Sequence, residues 1–255
     1  MARKSGQKTQ RSNRSPAPWL EARNNQIAQM EYAHAAPKQK IDRTPIQAKT
    51  ENQTRYMSAI KTSTITFATG PAGTGKTYLC TALAAEMLDN GEIEQIIITR
   101  PAVEAGENLG FLPGELDEKF DPYLQPFIDV LNQRLGKSNV QYMLKSEKIL
   151  AVPLAYMRGR TFRNAFVILD EAQNTTPSQM KMFLTRIGEN TRVVVNGDIR
   201  QMDIKGESGL RDAVNRISWI PKVRHIDFKA SDCVRSDIVG DIIKSYDREP
   251  ISPII

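Results

Sequence analysis

Eight consecutive residues carry the clearest chemistry in this sequence. They match the pattern G-x-x-x-x-G-K-[ST] and form what we call the phosphate loop: Gly70, Pro71, Ala72, Gly73, Thr74, Gly75, Lys76 and Thr77. The glycines let successive backbone N–H groups turn into one concavity that holds phosphate oxygens. A lysine at this position reaches the β- and γ-phosphates, and the threonine hydroxyl ligates Mg²⁺. The pattern therefore predicts a binding site for a nucleoside triphosphate, taken as ATP, together with Mg²⁺.

The residues on either side of the loop have the order that such a loop requires. Residues 63–68 are a short run rich in β-branched and aromatic side chains, and residues 78–88 show helical spacing of apolar side chains. Strand, loop and helix in that order place the phosphates at the positive N-terminal end of the helix. A glycine turn that only happens to precede Lys-Thr would not need these neighbours, so phosphate binding is favoured.

A pair of acids follows a second apolar run. Residues 166–169 are Phe-Val-Ile-Leu, and Asp170 and Glu171 come directly after them. An apolar strand that ends in two acids places both carboxylates at the sheet edge beside the phosphate loop. Asp170 then suits the Mg²⁺ shell, usually through a water, and Glu171 suits polarisation of the attacking water. The alternative is a solvated acidic strand end, which is disfavoured because loop and acids are two halves of one Mg²⁺–nucleotide site.

A third polar segment comes after the next apolar run, residues 191–195. It reads Asn-Gly-Asp-Ile-Arg-Gln and ends at Gln201. If the strand before it lies between the loop strand and the acidic strand, Gln201 is the choice for a contact that senses the γ-phosphate. Gly-Asp is also an ordinary turn signal, so the spacing alone is weak evidence for that contact.

Short apolar runs alternate with helical segments along the chain after residue 48. They predict strands at residues 63–68, 94–99, 165–169, 191–195 and 223–228. Thr176 and Pro177 suit the N-cap and first position of a helix before the fourth strand. Strands interleaved with helices predict an α/β fold of three layers, α-β-α, with a mostly parallel sheet covered on both faces. The proline-containing insert, residues 100–160, is expected to carry helices over the nucleotide edge of this sheet.

Charge divides the chain into two parts. Residues 1–49 contain ten Lys/Arg and three Asp/Glu, a net charge of +7. The rest of the chain contains 25 Lys/Arg and 26 Asp/Glu, a net charge of −1. We predict that residues 1–47 are a basic, partly disordered tail with a short helix within residues 19–35, and that residues 48–255 are one phosphate-loop ATPase domain. The tail could hold nucleic acid by attraction to phosphates or could serve solubility.

The cysteines and the hydropathy of the sequence indicate the cellular compartment. Cys80 and Cys233 lie far apart without the spacing of metal ligands, which favours ordinary thiols in a reducing environment. The N-terminus lacks an apolar signal segment, and no apolar run reaches 18 residues. These features predict a soluble, cytoplasmic protein without a membrane partner.

Longer blocks of the sequence resemble the PhoH family of ATPases, in a form often found in bacteriophage genomes. The likeness covers about residues 48–246, and its clearest blocks are residues 99–107, 109–114, 153–161, 170–177 and 180–188. This family resembles the core of superfamily 1 helicases, whose motifs match here as the phosphate loop, the run Asp-Glu-Ala-Gln and the run Gly-Asp-x-x-Gln. The resemblance implies a helicase-like phosphate-loop fold.

Two further site residues are implied by this resemblance alone. Gln53 falls where such proteins place a glutamine that reads adenine. Arg235 falls where they place an arginine that contacts the γ-phosphate, although Ser236 stands where the family usually has histidine. A surface salt bridge is the alternative for Arg235.

The size of the chain suggests an oligomer. Only 178 of the 255 residues follow Thr77, enough for one sheet domain, whereas superfamily 1 helicases place the nucleotide between two. A homo-oligomer, in the form of a hexameric ring by resemblance, would let a neighbour supply an arginine to the phosphate. The candidates are Arg235, Arg158, Arg160 and Arg163. The last three also suit a basic turn before a buried strand or phosphate contacts with nucleic acid.

Two classes of function follow. The first is hydrolysis of Mg²⁺·ATP coupled to RNA or single-stranded DNA, as in a helicase-like motor, and the basic tail and helicase-like motifs favour it. The alternative is a nucleotide-dependent switch or assembly ATPase that acts on a protein partner without helicase activity. A small-molecule kinase is disfavoured because no acceptor pocket is recognisable in the sequence.

Overall fold

The structure, a computed structural model, describes residues 41–101, 116–234 and 245, and of residues 116–123 it gives the helical backbone alone. The predicted helix within residues 19–35 and the side chain of Arg235 lie outside the described residues. Within the described ranges no helix is long and apolar enough to cross a membrane.

One sheet of parallel strands forms the centre of the described chain. Its strands are β1 (Ile65–Thr69), β2 (Gln95–Thr99), β3 (Ile149–Ala151), β4 (Ala165–Leu169), β5 (Arg192–Gly197) and β6 (Val223–Asp227). They lie in the order β3-β2-β4-β5-β1-β6, and each neighbouring pair is parallel. The strand between the loop strand and the acidic strand is therefore β5, as predicted.

Helices cover both faces of this sheet. They are α1 (Glu51–Thr62), α2 (Lys76–Asp89), α3 (Leu116–Leu135), α4 (Lys137–Lys145), α5 (Pro177–Leu184) and α6 (Gly209–Ile217). Because successive side chains of a strand point to opposite faces, β4 contributes Phe166 and Ile168 to a core shared with α1 to α4. Val167 and Leu169 enter a second core, shared with α5 and α6. The three-layer α/β prediction is confirmed.

The five predicted strands are all present, with ends within two residues of the predicted ones. The helix predicted after Thr176 is also present. Its N-cap hydroxyl accepts from the Gln179 backbone N–H at 3.3 Å, the Gln179 side chain accepts in return from the Thr176 N–H at 2.9 Å, and Pro177 is the first residue. This capping satisfies backbone groups that the helix itself cannot, and it is worth about 1 kcal/mol.

The insert at residues 100–160 differs in part from the prediction. It does contain helices, since α3 and α4 lie within it and α3 packs against α2. It also contributes β3, which pairs with β2 at one edge of the sheet and was not predicted. A three-residue strand is too short to show an alternating pattern, so periodicity could not have indicated it.

Candidate active site

The phosphate loop lies between the end of β1 and the start of α2. Three of its residues have positive φ, namely Gly70 at 132°, Gly73 at 81° and Gly75 at 84°. Gly70 also lies against the backbone of Phe228, because a Cβ there would be 2.3 Å from the Phe228 carbonyl oxygen. Only glycine combines this φ with so close an approach, so the sequence of the loop fixes its backbone.

Lys76 is the first residue of α2 and turns back over the loop. Its Nζ donates to the carbonyl oxygens of Gly70 at 2.7 Å and Pro71 at 2.8 Å. Burial lowers the pKa of this lysine, and the carboxylates of Asp198 and Asp170 oppose that shift. The cation is thus held at the N-terminal end of a helix, where backbone N–H groups and the helix dipole also favour an anion.

Gln53 is a buried residue whose side chain is hydrogen-bonded to the phosphate loop. It is 3% exposed, its Nε2 donates to the Thr74 carbonyl oxygen at 3.0 Å, and its Oε1 accepts from the Lys49 N–H at 2.7 Å. Both ends of the amide are therefore bonded within the protein. This geometry connects the loop to the segment before α1, and the adenine-reading role of Gln53 remains a prediction.

Asp170 lies at the carboxyl end of β4 and is 8% exposed. Burial raises the pKa of its carboxyl group to about 6, because the low-dielectric surroundings disfavour the charged form. Arg100 opposes the shift, and its Nε is 3.9 Å from Asp170 Oδ2. The neighbouring Thr99 hydroxyl is buried and has no hydrogen-bond partner in the described structure.

Glu171 has an unusual backbone and two side-chain partners. Its φ is 51°, in the left-handed region that costs a residue with a Cβ about 1 kcal/mol. Glu171 Oε1 lies 3.0 Å from Arg100 Nη2, and its Oε2 accepts from Gln173 Nε2 at 2.6 Å. A strained residue whose carboxylate is held on both oxygens is typical of a functional position.

Gln173 joins the acidic strand end to the segment after β5. Its Oε1 accepts from the Asp198 N–H at 3.1 Å, and its Nε2 also lies 3.3 Å from the Gln201 carbonyl oxygen. The Ser208 hydroxyl donates to the Gln173 carbonyl oxygen at 2.9 Å. Movement near Gln201 would therefore reach Glu171 through a single side chain.

Two adjoining cavities lie around the loop. The first, which we call the loop cavity, has a volume of about 280 Å³, and its wall includes Lys76, Thr77, Asp170, Glu171 and Gln201. The second, the side cavity, has a volume of about 560 Å³ and is lined in part by residues 44–47, Gln53, Tyr78 and Arg134. Gly75 and Tyr78 line both cavities. Predicted residues from the phosphate loop, the acidic strand end and the segment after β5 thus line one cavity, although Gly70, Pro71 and Thr74 do not line it.

The donor set of the loop cavity fits Mg²⁺. It offers a buried carboxylate, Asp170, and the Thr77 hydroxyl, which are hard oxygen ligands of the kind Mg²⁺ accepts alongside waters and substrate phosphates. The buried Thr99 hydroxyl has no hydrogen-bond partner in the described structure, but Thr99 does not line the loop cavity. In the described ranges no cluster of three or more His, Cys, Asp or Glu forms a protein-only metal site.

The sequence interpretation missed three residues of the site: Arg100, Gln173 and Phe228. Arg100 and Gln173 belong to blocks that carry the family resemblance, but nothing in their spacing indicates that both contact Glu171. Phe228 contacts Gly70 and places its ring 6.0 Å from Lys76 Nζ. Its position after β6, the neighbour of β1, was the available signal.

The arginine candidates are placed as follows. Arg235 lies outside the described residues. Arg158, Arg160 and Arg163 are exposed on a turn before β4, and none of the three forms an ion pair in the part of the chain that the structure describes.

The sheet is parallel, a phosphate loop follows β1, two acids follow β4, and β5 lies between these two strands. This is the architecture of a P-loop NTPase. The particular family is PhoH. The model of this family, described as PhoH-like protein, matches residues 45–247, and the chain belongs to it.

Comparison with known proteins agrees with this assignment. The chain is 50% identical over 206 residues to the PhoH-like protein of Bacillus subtilis (strain 168), covering 80% of this chain and 65% of that protein. It is 52% identical over 209 residues to protein PhoH of Escherichia coli (strain K12), covering 80% of this chain and 59% of that protein. The chain thus spans less than two thirds of these relatives. Both are bacterial, and a bacteriophage origin remains a prediction.

Among solved structures, the UvsW helicase from bacteriophage T4 matches over 80% of this chain and 67% of that chain. Its TM-score is 0.45 and its sequence identity 12%. A similarity this distant does not inform the activity.

Proposed function

We propose that this protein hydrolyses Mg²⁺·ATP and couples hydrolysis to a single-stranded nucleic acid, RNA or DNA. The observation that carries the proposal is the loop cavity, where Lys76, Thr77, Asp170, Glu171 and Gln201 meet. The side cavity, which adjoins it through Gly75 and Tyr78, has room for the nucleoside part of the substrate.

Each residue has a distinct role in this proposal. The loop N–H groups and Lys76 bind the β- and γ-phosphates, while Thr77 and Asp170 hold the metal. Mg²⁺ would neutralise charge that develops on the phosphate oxygens. Glu171 accepts hydrogen bonds from the attacking water and orients it, and Gln201 contacts the γ-phosphate region.

The test is the rate of ATP hydrolysis by the full chain with and without single-stranded RNA and DNA oligonucleotides. The Lys76→Ala variant serves as the blank, because it lacks the cation that contacts the phosphates. A wild-type rate equal to that of Lys76→Ala would contradict hydrolysis. Hydrolysis that no oligonucleotide changes, with no strand binding, would favour the switch or assembly role on a protein partner.

We further propose that hydrolysis requires a homo-oligomer in which a neighbour supplies an arginine, Arg235 being our choice over the arginines at 158–163. Such an arginine is worth about 10³ to 10⁵ in turnover in related enzymes. Mixing inactive Lys76→Ala with inactive Arg235→Ala should restore activity, because some interfaces then join an intact loop to an intact arginine. If mixing restores nothing, the arginine does not act across an interface.

The basic tail, residues 1–47, is proposed to add affinity for nucleic acid without sequence preference. Log affinity for a single strand falls with log salt at about 0.7 per neutralised phosphate. Deletion of residues 1–40, which spares the residues 44–47 that line the side cavity, should flatten this slope, and an unchanged slope would assign the tail to another role.

A further inference from the structure

Arg100 connects the catalytic glutamate to a surface turn. It follows β2 directly, and its side chain reaches Glu171 with Nη2 3.0 Å from Oε1. Its carbonyl oxygen accepts from the Leu154 N–H at 3.0 Å. Leu154 begins a short 3-10 helix, Leu154–Met157, so one residue contacts both the site and this turn.

One side of this turn packs into the core, and the other side is exposed and positively charged. Leu154 and Met157 are buried at 1% and 0% exposure, which fixes the backbone. The exposed side chains of the same segment form what we call the basic turn: Tyr156, Arg158, Arg160 and Arg163. Tyr156 is 52% exposed. Three guanidinium groups without ion pairs in the described structure, beside an exposed ring, suit phosphates and stacked bases together.

A second exposed aromatic residue provides a comparison. Trp219 is 79% exposed and also has basic neighbours in sequence. Arg216 is paired with Asp212 at 2.5 Å, however, and Arg224 donates to the carbonyl oxygens of Pro221 and Val223. The arginines near Trp219 are therefore already bonded, whereas those of the basic turn are available to a polyanion.

We propose that a single-stranded nucleic acid binds the basic turn and that Arg100 then exchanges Glu171 for a phosphate of the strand. A guanidinium group pairs with carboxylate and phosphate in the same planar geometry, so the exchange replaces one charge-assisted pair by another. Glu171, still bonded to Gln173, becomes free to bind the attacking water. Arg100 is thus a positioning residue that makes hydrolysis depend on the strand. The inference rests on the proposed NTPase function.

Strand binding is tested first, because it does not require hydrolysis. Fluorescence anisotropy of labelled poly-U and poly-dT oligonucleotides gives the dissociation constant for wild type, Arg158→Gln/Arg160→Gln and the matched control Arg216→Gln/Arg224→Gln. Loss of two phosphate contacts should weaken binding by about tenfold and reduce the salt slope by about 1.4. The control removes the same charge and should change binding by less than about twofold. Equal effects in both variants, or none, would overturn the binding surface.

Coupling is tested with Arg100→Gln, in the same assay of hydrolysis with and without the oligonucleotide. If Arg100 restrains Glu171, the rate without strand rises toward the stimulated wild-type rate and the strand no longer accelerates it. A residue that only supports the fold would lower both rates in proportion, and that result would overturn the exchange.

Two further measurements keep the failures distinct. Arg100→Lys keeps the charge but loses the planar fork, so it should raise the rate without strand by less than Arg100→Gln does. Binding of a fluorescent ATP analogue to Arg100→Gln is measured as well, and rates are compared at saturating ATP and Mg²⁺, because Arg100 also lies 3.9 Å from Asp170. If wild type does not hydrolyse ATP under any condition, the proposed function fails, while the anisotropy result still decides the binding surface.

Discussion

The phosphate loop and the acidic end of β4 line the same cavity, but they are held in different ways. The loop is fixed by backbone conformation and close packing, as at Gly70 against Phe228. Glu171 is fixed by side-chain partners, Arg100 and Gln173, and its side chain is 43% exposed. In the proposed function, the loop is the rigid half of the site, which binds the nucleotide, and the acidic end of β4 is the adjustable half, which can be switched.

The largest expected effect separates the two halves by their kinetics. Glu171→Gln should lower turnover by about 10²- to 10⁴-fold and retain ATP binding, because the proposed role of the carboxylate is to orient the attacking water. Lys76→Ala should instead weaken ATP binding, since the proposed mechanism has this lysine contact the nucleotide both before and during the reaction. Turnover and equilibrium binding of a fluorescent ATP analogue are measured for both. A Glu171→Gln variant that hydrolyses ATP at the wild-type rate would contradict the assignment of the adjustable half.

The rigid half is tested by its stability. In Gly70→Ala, the new Cβ would lie 2.3 Å from the Phe228 carbonyl oxygen, on a residue whose φ is 132°. The substitution should therefore lower the free energy of unfolding by about 3 kcal/mol or more. Gly91→Ala is the matched control, with a φ of 72° but no atom within 4 Å, and should cost about 1 kcal/mol. Urea unfolding measures both. Equal losses would show that packing against Phe228 contributes little.

How far the sequence predicts the molecule differs between these halves for a physical reason. Residues 70–77 and their flanking runs are contiguous, so local chemistry determined both the loop and its neighbouring elements. The ion pair of Arg100 with Glu171 joins residues far apart in the chain that meet only because β2 and β4 are adjacent. Strand order therefore had to be known before the contact could be inferred. The helix α1, which the sequence interpretation did not predict, carries Gln53 and consists mostly of polar residues.

A smaller effect concerns the cost of burying the acid. The pKa of Asp170 is raised by burial to about 6, so the folded protein loses stability as pH rises from about 4 through 6 and the group ionises. Asp170→Asn cannot ionise and should be more stable than wild type by about 3 kcal/mol at pH 8, with chelator present. The gain should vanish below pH 4.

Urea unfolding between pH 4 and 8 checks this slope. Asp42→Asn is the opposite control, because hydrogen bonds from Thr44 lower the pKa of Asp42 and its stabilisation is lost as pH falls. A gain in Asp170→Asn that is constant with pH would mean that its cause is not the buried charge.

The smallest expected effect is on nucleotide affinity, and it shows whether Gln53 supports the rigid half or reads the base. Its amide bonds Thr74 and Lys49 within the protein, so Gln53→Ala leaves a buried carbonyl and an N–H without their partners. We expect the affinities for ATP and GTP to fall together, by about tenfold, which corresponds to about 1.4 kcal/mol and lies within the cost of an unsatisfied buried group. Asn52→Ala is the matched control, because the Asn52 amide bonds Asp232 and not the loop. If ATP affinity falls while GTP affinity is unchanged, Gln53 contacts the base directly. The Gln53 amide would then give the side cavity its preference for adenine over guanine.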